Sequence, residues 1–471
     1  MLAAMPPTPA IPPHRDESLV RDRGDACVRE RGDACPGALR LHSAADGALA
    51  RLRLPAGLLT SRQALSLAEA ADTLGDGHLS LTSRGNAELR GLDDADAAPL
   101  ADLLRAAGLL PSDRHERVRN IVASPLAGLD GHGAHDAASV QEWARELDLL
   151  LCASATAPAL SGRFLFALDD GRGDMAALGG DVTLVAESGG TALLRIGDAT
   201  EALRLPGCDA PRAALAAAEA FLSVAQEAGN GSWRVRELPP GYDAAAVRAL
   251  LRTRLPQPYE TTAAPAPEPP RPPLPGAHTA PDGTRALSVL APLGRLTTAH
   301  LRRLAAIAAQ DACGELRMTP WRGVVLPGLP PTAAGPRLRE LATAGLVTDP
   351  ASPWYGLGAC TGRPGCAKSL SDVRADAVAA LHQDGTGPHQ DGTGSPADGT
   401  GLLPVHWSGC ARRCGHPHGA WVDVVATGDA YEVSVRGTRH AAPATTTVPT
   451  TEPGRLADAV ASARAATRTT T

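Results

Sequence analysis

A chain of 471 residues with 44% hydrophobic content is long enough for several domains with sizeable cores, and its formal net charge of -6 lacks the basic field a nucleic-acid partner calls for. No apolar run approaches the roughly 20 residues of a membrane span, and the N-terminal MLAAMPPTPAIPPHRDE has neither the basic start nor the apolar stretch of a signal peptide. A cytoplasmic protein is expected, in which nine cysteines serve as metal ligands or free thiols rather than disulfides.

Residues 1–36 read as a flexible lead containing a short duplication, Arg23-Gly24-Asp25-Ala26-Cys27 and Arg31-Gly32-Asp33-Ala34-Cys35, which makes neither cysteine a strong candidate for chemistry. Residues 37–107 form the first of two related units. A strand at 50–54 leads through a Pro/Gly turn to Thr60, which caps a helix over 61–74. A strand at 79–82 then enters a polar turn and returns at 87–89. Residues 108–258 are expected to form a mixed α/β domain, and residues 259–284 an extended Pro-rich linker. The second unit, 285–345, repeats the pattern with a strand at 286–290, a helix at 298–310 and strands at 316–319 and 324–326. Aligned without a gap from Pro55 with Pro292 to Leu92 with Leu329, the units share about a third of their residues, Pro, Thr and Gly among them, and these residues fix turns. Residues 346–440 form a second α/β domain with a Gly/Asp/Thr loop insertion at 382–401, and 441–471 a loose tail with one short helix near 457–466. The fold class is α+β: two β–α–β–β units in one pseudo-symmetric domain, with two mixed α/β domains.

The strongest chemical signal is Cys360-Thr-Gly-Arg-Pro-Gly-Cys366 followed by Cys410-Ala-Arg-Arg-Cys414. Four thiolates from two loops can enclose a [4Fe–4S] cubane, whereas the five residues between Cys360 and Cys366 fit zinc poorly. Gly362, Gly365 and Gly409 allow backbone N–H groups close to cluster sulfurs, and Ser369 or Ser371 starts a helix over 372–381 whose N-terminus faces the cluster. Cys152, Cys208 and Cys313 stand alone and read as small core residues. Lys368 is the only lysine among 45 Lys+Arg residues, which suggests a position where the arginine fork does not fit. Arg84 and Arg90 flank the first unit's polar turn, Arg317 and Arg322 the second's, and Arg119, Arg163, Arg363, Arg412 and Arg413 lie in other loops. Such a set suits a ligand rimmed with carboxylates, which arginine binds through paired hydrogen bonds.

Cys-x5-Cys followed far downstream by Cys-x3-Cys resembles the cluster motif of the sirohaem and [4Fe–4S] nitrite/sulfite reductase superfamily, whose members carry two ferredoxin-like half-repeats. The likeness covers roughly residues 37–440. Within the superfamily, five segments are similar to the precorrin-3B synthases of aerobic cobalamin biosynthesis: Thr82-Ser-Arg-Gly-Asn86, Arg119-Asn-Ile-Val-Ala-Ser-Pro-Leu-Ala-Gly128, Thr319-Pro-Trp-Arg-Gly323, Gly362-Arg-Pro-Gly-Cys-Ala-Lys-Ser369 and His406-Trp-Ser-Gly-Cys410. The resemblance implies an O2-dependent monooxygenase acting on precorrin-3A. It would use the cluster, a second iron (mononuclear non-haem or sirohaem-like), and reduced nicotinamide delivered through a separate reductase. It makes Lys368, Arg163 and Asn86 catalytic candidates, and Arg84, Arg90, Arg119, Asn120, Arg317, Arg322, Arg363 and Arg412 tetrapyrrole-binding ones. Cys414 holds the position that bridges cluster and haem iron in the reductases; His406, His416 and His418 are candidate iron ligands. A sirohaem-dependent reductase is the rival, but where sulfite reductases carry a Leu-Pro-Arg-Lys-Phe-Lys type segment this chain has Leu160-Ser-Gly-Arg-Phe-Leu165, with Leu165 at the second lysine. A non-catalytic iron–sulfur carrier is the third reading.

Overall fold

The computed structural model describes residues 33, 35–133, 140–266, 272–383, 402–417, 419–437 and 445–465. The first unit contains β1 (His42–Ala44), β2 (Gly47–Leu52), β3 (Leu58–Thr60), α1 (Ser61–Thr73), β4 (His78–Leu81), β5 (Ala87–Leu92) and α2 (Ala97–Ala106). There follow β6 (Ile121–Ala123), α3 (Val140–Ala153), β7 (Phe166–Asp169), β8 (Val182–Glu187), β9 (Thr191–Ile196), β10 (Glu201–Pro206), α4 (Ala210–Ala228), α5 (Ala244–Arg254) and β11 (Glu260–Ala263). The second unit contains β12 (Gly276–Thr279), β13 (Arg285–Leu290), β14 (Arg295–Thr297), α6 (Thr298–Asp311), β15 (Glu315–Met318), β16 (Gly323–Leu329) and α7 (Pro331–Thr343). The last domain has β17 (Leu357–Ala359), α8 (Val373–Gln383), β18 (Val405–Ser408), β19 (Trp421–Ala426), β20 (Ala430–Arg436), β21 (Thr446–Pro449) and α9 (Pro453–Ala465).

The two related helices start for the same reason. The Thr60 hydroxyl accepts from the Gln63 amide while the Gln63 side chain accepts from the Thr60 amide, and Thr297 and His300 repeat this exchange at α6. Neither unit completes its sheet alone. The strand orders are β1-β2-β5-β4-β14 and β12-β13-β16-β15-β3, so each sheet takes its last strand from the other unit. Leu296 lies opposite Leu79 and Leu59 opposite Leu316, and all four are buried in one core with Leu67 and Leu304. The units therefore share one core across a pseudo-two-fold axis. The outer domains echo this symmetry: β6-β7-β8 are parallel and β8-β9-β10-β11 antiparallel, as β17-β18-β19 are parallel and β19-β20-β21 antiparallel.

Three segment assignments need correction. The linker is ordered at both ends, where β11 joins β10 and β12 joins β13, because extended backbone outside the Pro-rich centre can satisfy a sheet edge. Over residues 445–465 the tail is not loose: β21 pairs with β20, and Val448, Leu456, Ala457 and Val460 are buried in the last domain. In the lead, Asp33 accepts from the Ser161 hydroxyl at 2.9 Å and the Gly162 amide at 2.6 Å, anchoring that point to the first α/β domain. Of the Gly/Asp/Thr insertion expected over 382–401, residues 382–383 end α8 and 384–401 lie outside the described residues, as does Cys27. Among the described residues no helix is long and apolar enough to cross a membrane.

At the end of β7, Asp169, Asp170 and Asp174 converge. The Asp169 carboxylate accepts four backbone amides, from Gly171, Gly173, Met175 and Ala176, while burial and then the Asp169 charge raise the Asp174 carboxyl to about 8. A carboxyl whose folded pKa is raised from 3.8 holds its proton in the fold. Its contribution to stability is therefore present at low pH and lost as pH rises from about 4 to about 8. Asp174→Asn is expected to narrow the fall in Tm between pH 5 and pH 8 by at least about 2 °C, and an unchanged fall in a thermal melt would reject this role.

Candidate functional site

The cysteine loops leave the C-terminal ends of two adjacent parallel strands, where α/β folds place ligands. The Cys360 amide donates to Trp407 O at 2.9 Å and the Leu370 amide to Gly409 O at 2.8 Å, which ties the loops together. The Gly409 amide reaches Cys360 Sγ at 3.2 Å. A Cβ at Gly409 would meet Ser369 Oγ at 1.8 Å, so this approach needs glycine. Burial, followed by the neighbouring Cys360, Cys410 and Cys366 sulfurs, pushes the Cys414 thiol up, against a downward pull from Arg412. Four soft sulfurs thus share one electrostatic neighbourhood, a donor set that fits an iron–sulfur cluster. Cys414 is exposed and the other three are partly buried. From below, buried Asp423 accepts from Arg413 Nε at 2.5 Å, and His406 Nε2 donates to Cys414 O at 3.0 Å.

Against this face lies a cavity of about 700 Å3, walled by Cys360 and Cys414 on one part and by β2, the Thr82–Asn86 turn and the 162–163 and 233–237 loops elsewhere. Its volume falls in the range of small-molecule and cofactor sites. Four of its arginines bond only to backbone carbonyls. Arg53 reaches Arg117 O and Gly162 O at 3.3 Å, and Arg84 reaches Gly162 O at 3.5 Å. Arg374 reaches Cys360 O at 3.2 Å and Arg322 reaches Gly415 O at 2.7 Å. Among the described residues none of the four has a carboxylate partner. Burial first, then repulsion from a neighbouring guanidinium, lowers Arg53 (beside Arg51), Arg84 (beside Arg234) and Arg374 (beside Arg295) to about 10, and burial lowers Arg322. Glu116 and Asp33 act on Arg53, and Asp181 on Arg84, without a direct contact, so burial of these cations is only partly offset and an anionic ligand would lower its cost.

Arg322 shows how far the fold goes to place one of these charges. It stands where the first unit has Gly85, and it keeps the left-handed backbone, φ 61° against 66°. Its side chain runs past Gly294, Gly358 and Gly415, where an added Cβ would come within 2.4, 2.6 and 2.7 Å of it. Larger residues at those glycines would block it.

The other candidates divide. Arg163 and Asn86 line the cavity. Asn86 also accepts from the Leu54 amide and donates to Asn120 at 3.2 Å, while Asn120 donates to Phe164 O; Asn120 is fully buried scaffold rather than a ligand contact. Arg119 forms a paired contact with Asp148 at 2.6 and 2.7 Å, away from the cavity. Arg90 pairs with Asp46 and donates to Gly365 O, holding the first cysteine loop to the first unit. Arg317 bonds Glu315 and the carbonyls of Pro125 and Ala127. Arg363 bonds Ser369 O at 2.8 Å, and neither it nor Arg412 lines the cavity. Lys368 is exposed on the cysteine loop and also lies outside the wall. His416 stacks on Trp421 at 4.6 Å and does not face the cavity; His418 lies outside the described residues. Asp372, not Ser369 or Ser371, accepts from the Ala375 amide in the first turn of α8. Cys208 and Cys313 are exposed rather than core residues.

Sequence reasoning missed Arg51, Arg53, Arg234, Arg236, Arg374 and Trp233 in the wall. The alternation Arg51-Leu52-Arg53 was the available signal, since residues two apart on a strand share a face.

The family described as the nitrite/sulfite reductase ferredoxin-like half domain matches residues 42–107 and 278–344. The chain carries that half domain twice and is similar to oxidoreductases of the nitrite/sulfite reductase kind, a likeness that implies [4Fe–4S] and sirohaem cofactors. More particularly, it is similar to a precorrin-3B synthase of Sinorhizobium sp, 26% identical over 403 residues, spanning 84% of this chain and 81% of the relative. It is also similar to the ferredoxin–nitrite reductase of Synechococcus elongatus, 26% identical over 391 residues, spanning 79% and 75%. The solved structure of the Mycobacterium tuberculosis NirA protein superposes with a TM-score of 0.68 at 19% identity, covering 87% of this chain and 79% of that one, which establishes the shared fold.

Proposed function

We propose that this chain is a tetrapyrrole monooxygenase of the precorrin-3B synthase type, converting precorrin-3A to precorrin-3B by hydroxylation at a meso carbon and lactone closure from an acetate arm. The observation that carries the reading is the cavity with four arginines, Arg53, Arg84, Arg322 and Arg374, that have no carboxylate partner among the described residues, sharing Cys360 and Cys414 with the cysteine cluster. A macrocycle rimmed with acetate and propionate arms supplies the missing negative charge. These guanidiniums hold and orient the arms, and their placement on a strand end, two short turns and the first turn of α8 fixes which ring edge faces Cys414. One atom of O2 enters the product and the other leaves as water, which takes two electrons and two protons. When bound, a [4Fe–4S] cluster on Cys360, Cys366, Cys410 and Cys414 supplies single electrons, and a second iron, mononuclear or sirohaem-like, supplies the site for O2. Reduced nicotinamide provides those electrons through a separate reductase in the cytoplasm.

A sirohaem-dependent nitrite or sulfite reductase is the second reading, favoured by the nitrite reductases among the relatives. Against it, Leu165 is packed with Val122, Ala167 and Met175, and no lysine lines the wall. Anaerobic reconstitution followed by precorrin-3A, O2 and a reductant should give a product heavier by one oxygen atom on mass analysis. Sirohaem absorption with nitrite or sulfite consumption and no change in precorrin-3A would establish the second reading instead.

A further inference from the structure

We infer that Glu88 decides which edge of the ring faces the first cysteine loop, because it neutralises Arg51 and so makes that side of the cavity a place where a carboxylate arm is not bound; this rests on the tetrapyrrole reading above. One face of the first sheet forms part of the cavity wall. Leu49, Arg51 and Arg53 alternate along and just past β2, and Asn86 and Glu88 stand just before and on β5. Arg51 and Glu88 are directly opposite in the β2–β5 register, and Arg51 Nη2 donates to Glu88 Oε2 at 2.8 Å. The other carboxylate oxygen, Oε1, accepts from Arg90 Nη1 at 3.1 Å. Arg90 is held in turn by the Asp46 carboxylate, at 2.9 and 3.0 Å, and donates at 2.7 Å to Gly365 O, in the loop between Cys360 and Cys366. Beside that loop two guanidiniums meet two carboxylates, and their charges cancel.

The rest of the wall is built differently. Arg53 is near enough to Arg51 to feel its charge, yet among the described residues it touches backbone carbonyls and no carboxylate, so the neutral part of the wall ends between these two residues. Among the described residues the wall has two other carboxylates, and both hold loops. Asp33 accepts from the Ser161 hydroxyl and the Gly162 amide, and Glu237 Oε2 accepts from the amides of Trp233 and Arg234. The Glu88 side chain is 12% exposed, so water and salt screen its charge poorly. An arm turned toward Glu88 meets that charge and an arginine already engaged, whereas arms on the other edges meet Arg53, Arg84, Arg322 and Arg374. Repulsion at one edge selects a pose as effectively as attraction at the others. The ring edge poorest in carboxylates therefore lies against the loop of Cys360 and Cys366.

The probes are uroporphyrin III, a flat ring with eight carboxylates, and coproporphyrin III, in which methyl groups replace the acetates and four carboxylates remain. Each is titrated into the full-length chain and followed by its absorption and emission. Glu88→Gln releases Arg51 for a ligand arm and is expected to tighten uroporphyrin binding about tenfold. Coproporphyrin can turn a methyl edge to this side already, so its affinity should change less than about twofold. Glu88→Gln with Arg51→Gln removes the released cation and should return both affinities to those of the parent chain. Asp46 keeps Arg90 in these variants, and Glu88→Ala, which also leaves that pair intact, should repeat the Glu88→Gln result. Unchanged or weaker uroporphyrin binding by Glu88→Gln overturns the inference. So does an equal gain for both rings, which would mean that Glu88 merely lowers the field of the whole cavity. If the parent chain binds neither ring, the tetrapyrrole reading falls and the role of Glu88 with it.

Discussion

Cys414→Ser protein, reconstituted anaerobically, is expected to hold no acid-labile sulfide and almost no iron, where the parent chain holds about four of each. Serine offers a hard oxygen of high pKa in place of a soft thiolate, and three remaining sulfurs leave one iron of a cubane without its ligand. Cys414 is the informative position because it is exposed and its loop is held independently. The Cys414 carbonyl accepts from His406, and Arg413 is tied to Asp423. Losing the sulfur therefore leaves the apo fold standing, and far-UV circular dichroism of the apo variant should match that of the parent. Cys208→Ser and Cys313→Ser, at exposed positions away from these loops, should load normally. Full iron and sulfide content in Cys414→Ser would remove this residue from the ligand set and, with it, the link between cluster and cavity.

The half-repeats were legible because their boundaries are written in residues with a single local use: Thr60 and Thr297 cap, and Gly77, Gly91, Gly314 and Gly328 take positive φ at the same turns in each copy. The strand exchange was not legible. β3 and β14 are three-residue strands whose partners lie in the other unit, and pairing at that separation leaves no local periodicity. The cysteine loops stood out because their spacing is chemically narrow. The arginines were harder for a physical reason. An arginine that props a loop and one that waits for a ligand look alike in sequence, and only the fold shows that Arg119 has Asp148 and Arg90 has Asp46 while Arg53 and Arg374 have no carboxylate partner among the described residues. Where nearly every basic residue is arginine, composition cannot separate the two kinds. The tail misled for a related reason: its Thr-rich run reads as low complexity, yet β-branched threonines suit the edge strand it forms against β20.

Arg322→Gly is expected to lose uroporphyrin III binding by at least about thirtyfold while its Tm stays level or rises. These opposite signs follow from what holds Arg322 in place. Its φ of 61° is a conformation that costs a non-glycine residue about 1–3 kcal/mol, and glycine, as at Gly85, adopts it freely. Its guanidinium is desolvated beside Gly415 with no carboxylate partner among the described residues, so deleting it also removes a buried charge. The space left among Gly294, Gly358 and Gly415 is lined by backbone polar groups and open to the cavity, so water can fill it. A structural arginine behaves otherwise. Arg119→Gln breaks a buried pair with Asp148 outside the cavity, and it should lower Tm without changing uroporphyrin affinity. Raising salt should weaken binding to the parent chain more than to Arg322→Gly, since the variant has one fewer cation to screen. If Arg322→Gly lowers Tm as Arg119→Gln does and binds uroporphyrin as the parent chain does, then Arg322 is scaffold, and its left-handed backbone serves packing between the second unit and the cysteine loops rather than the ligand.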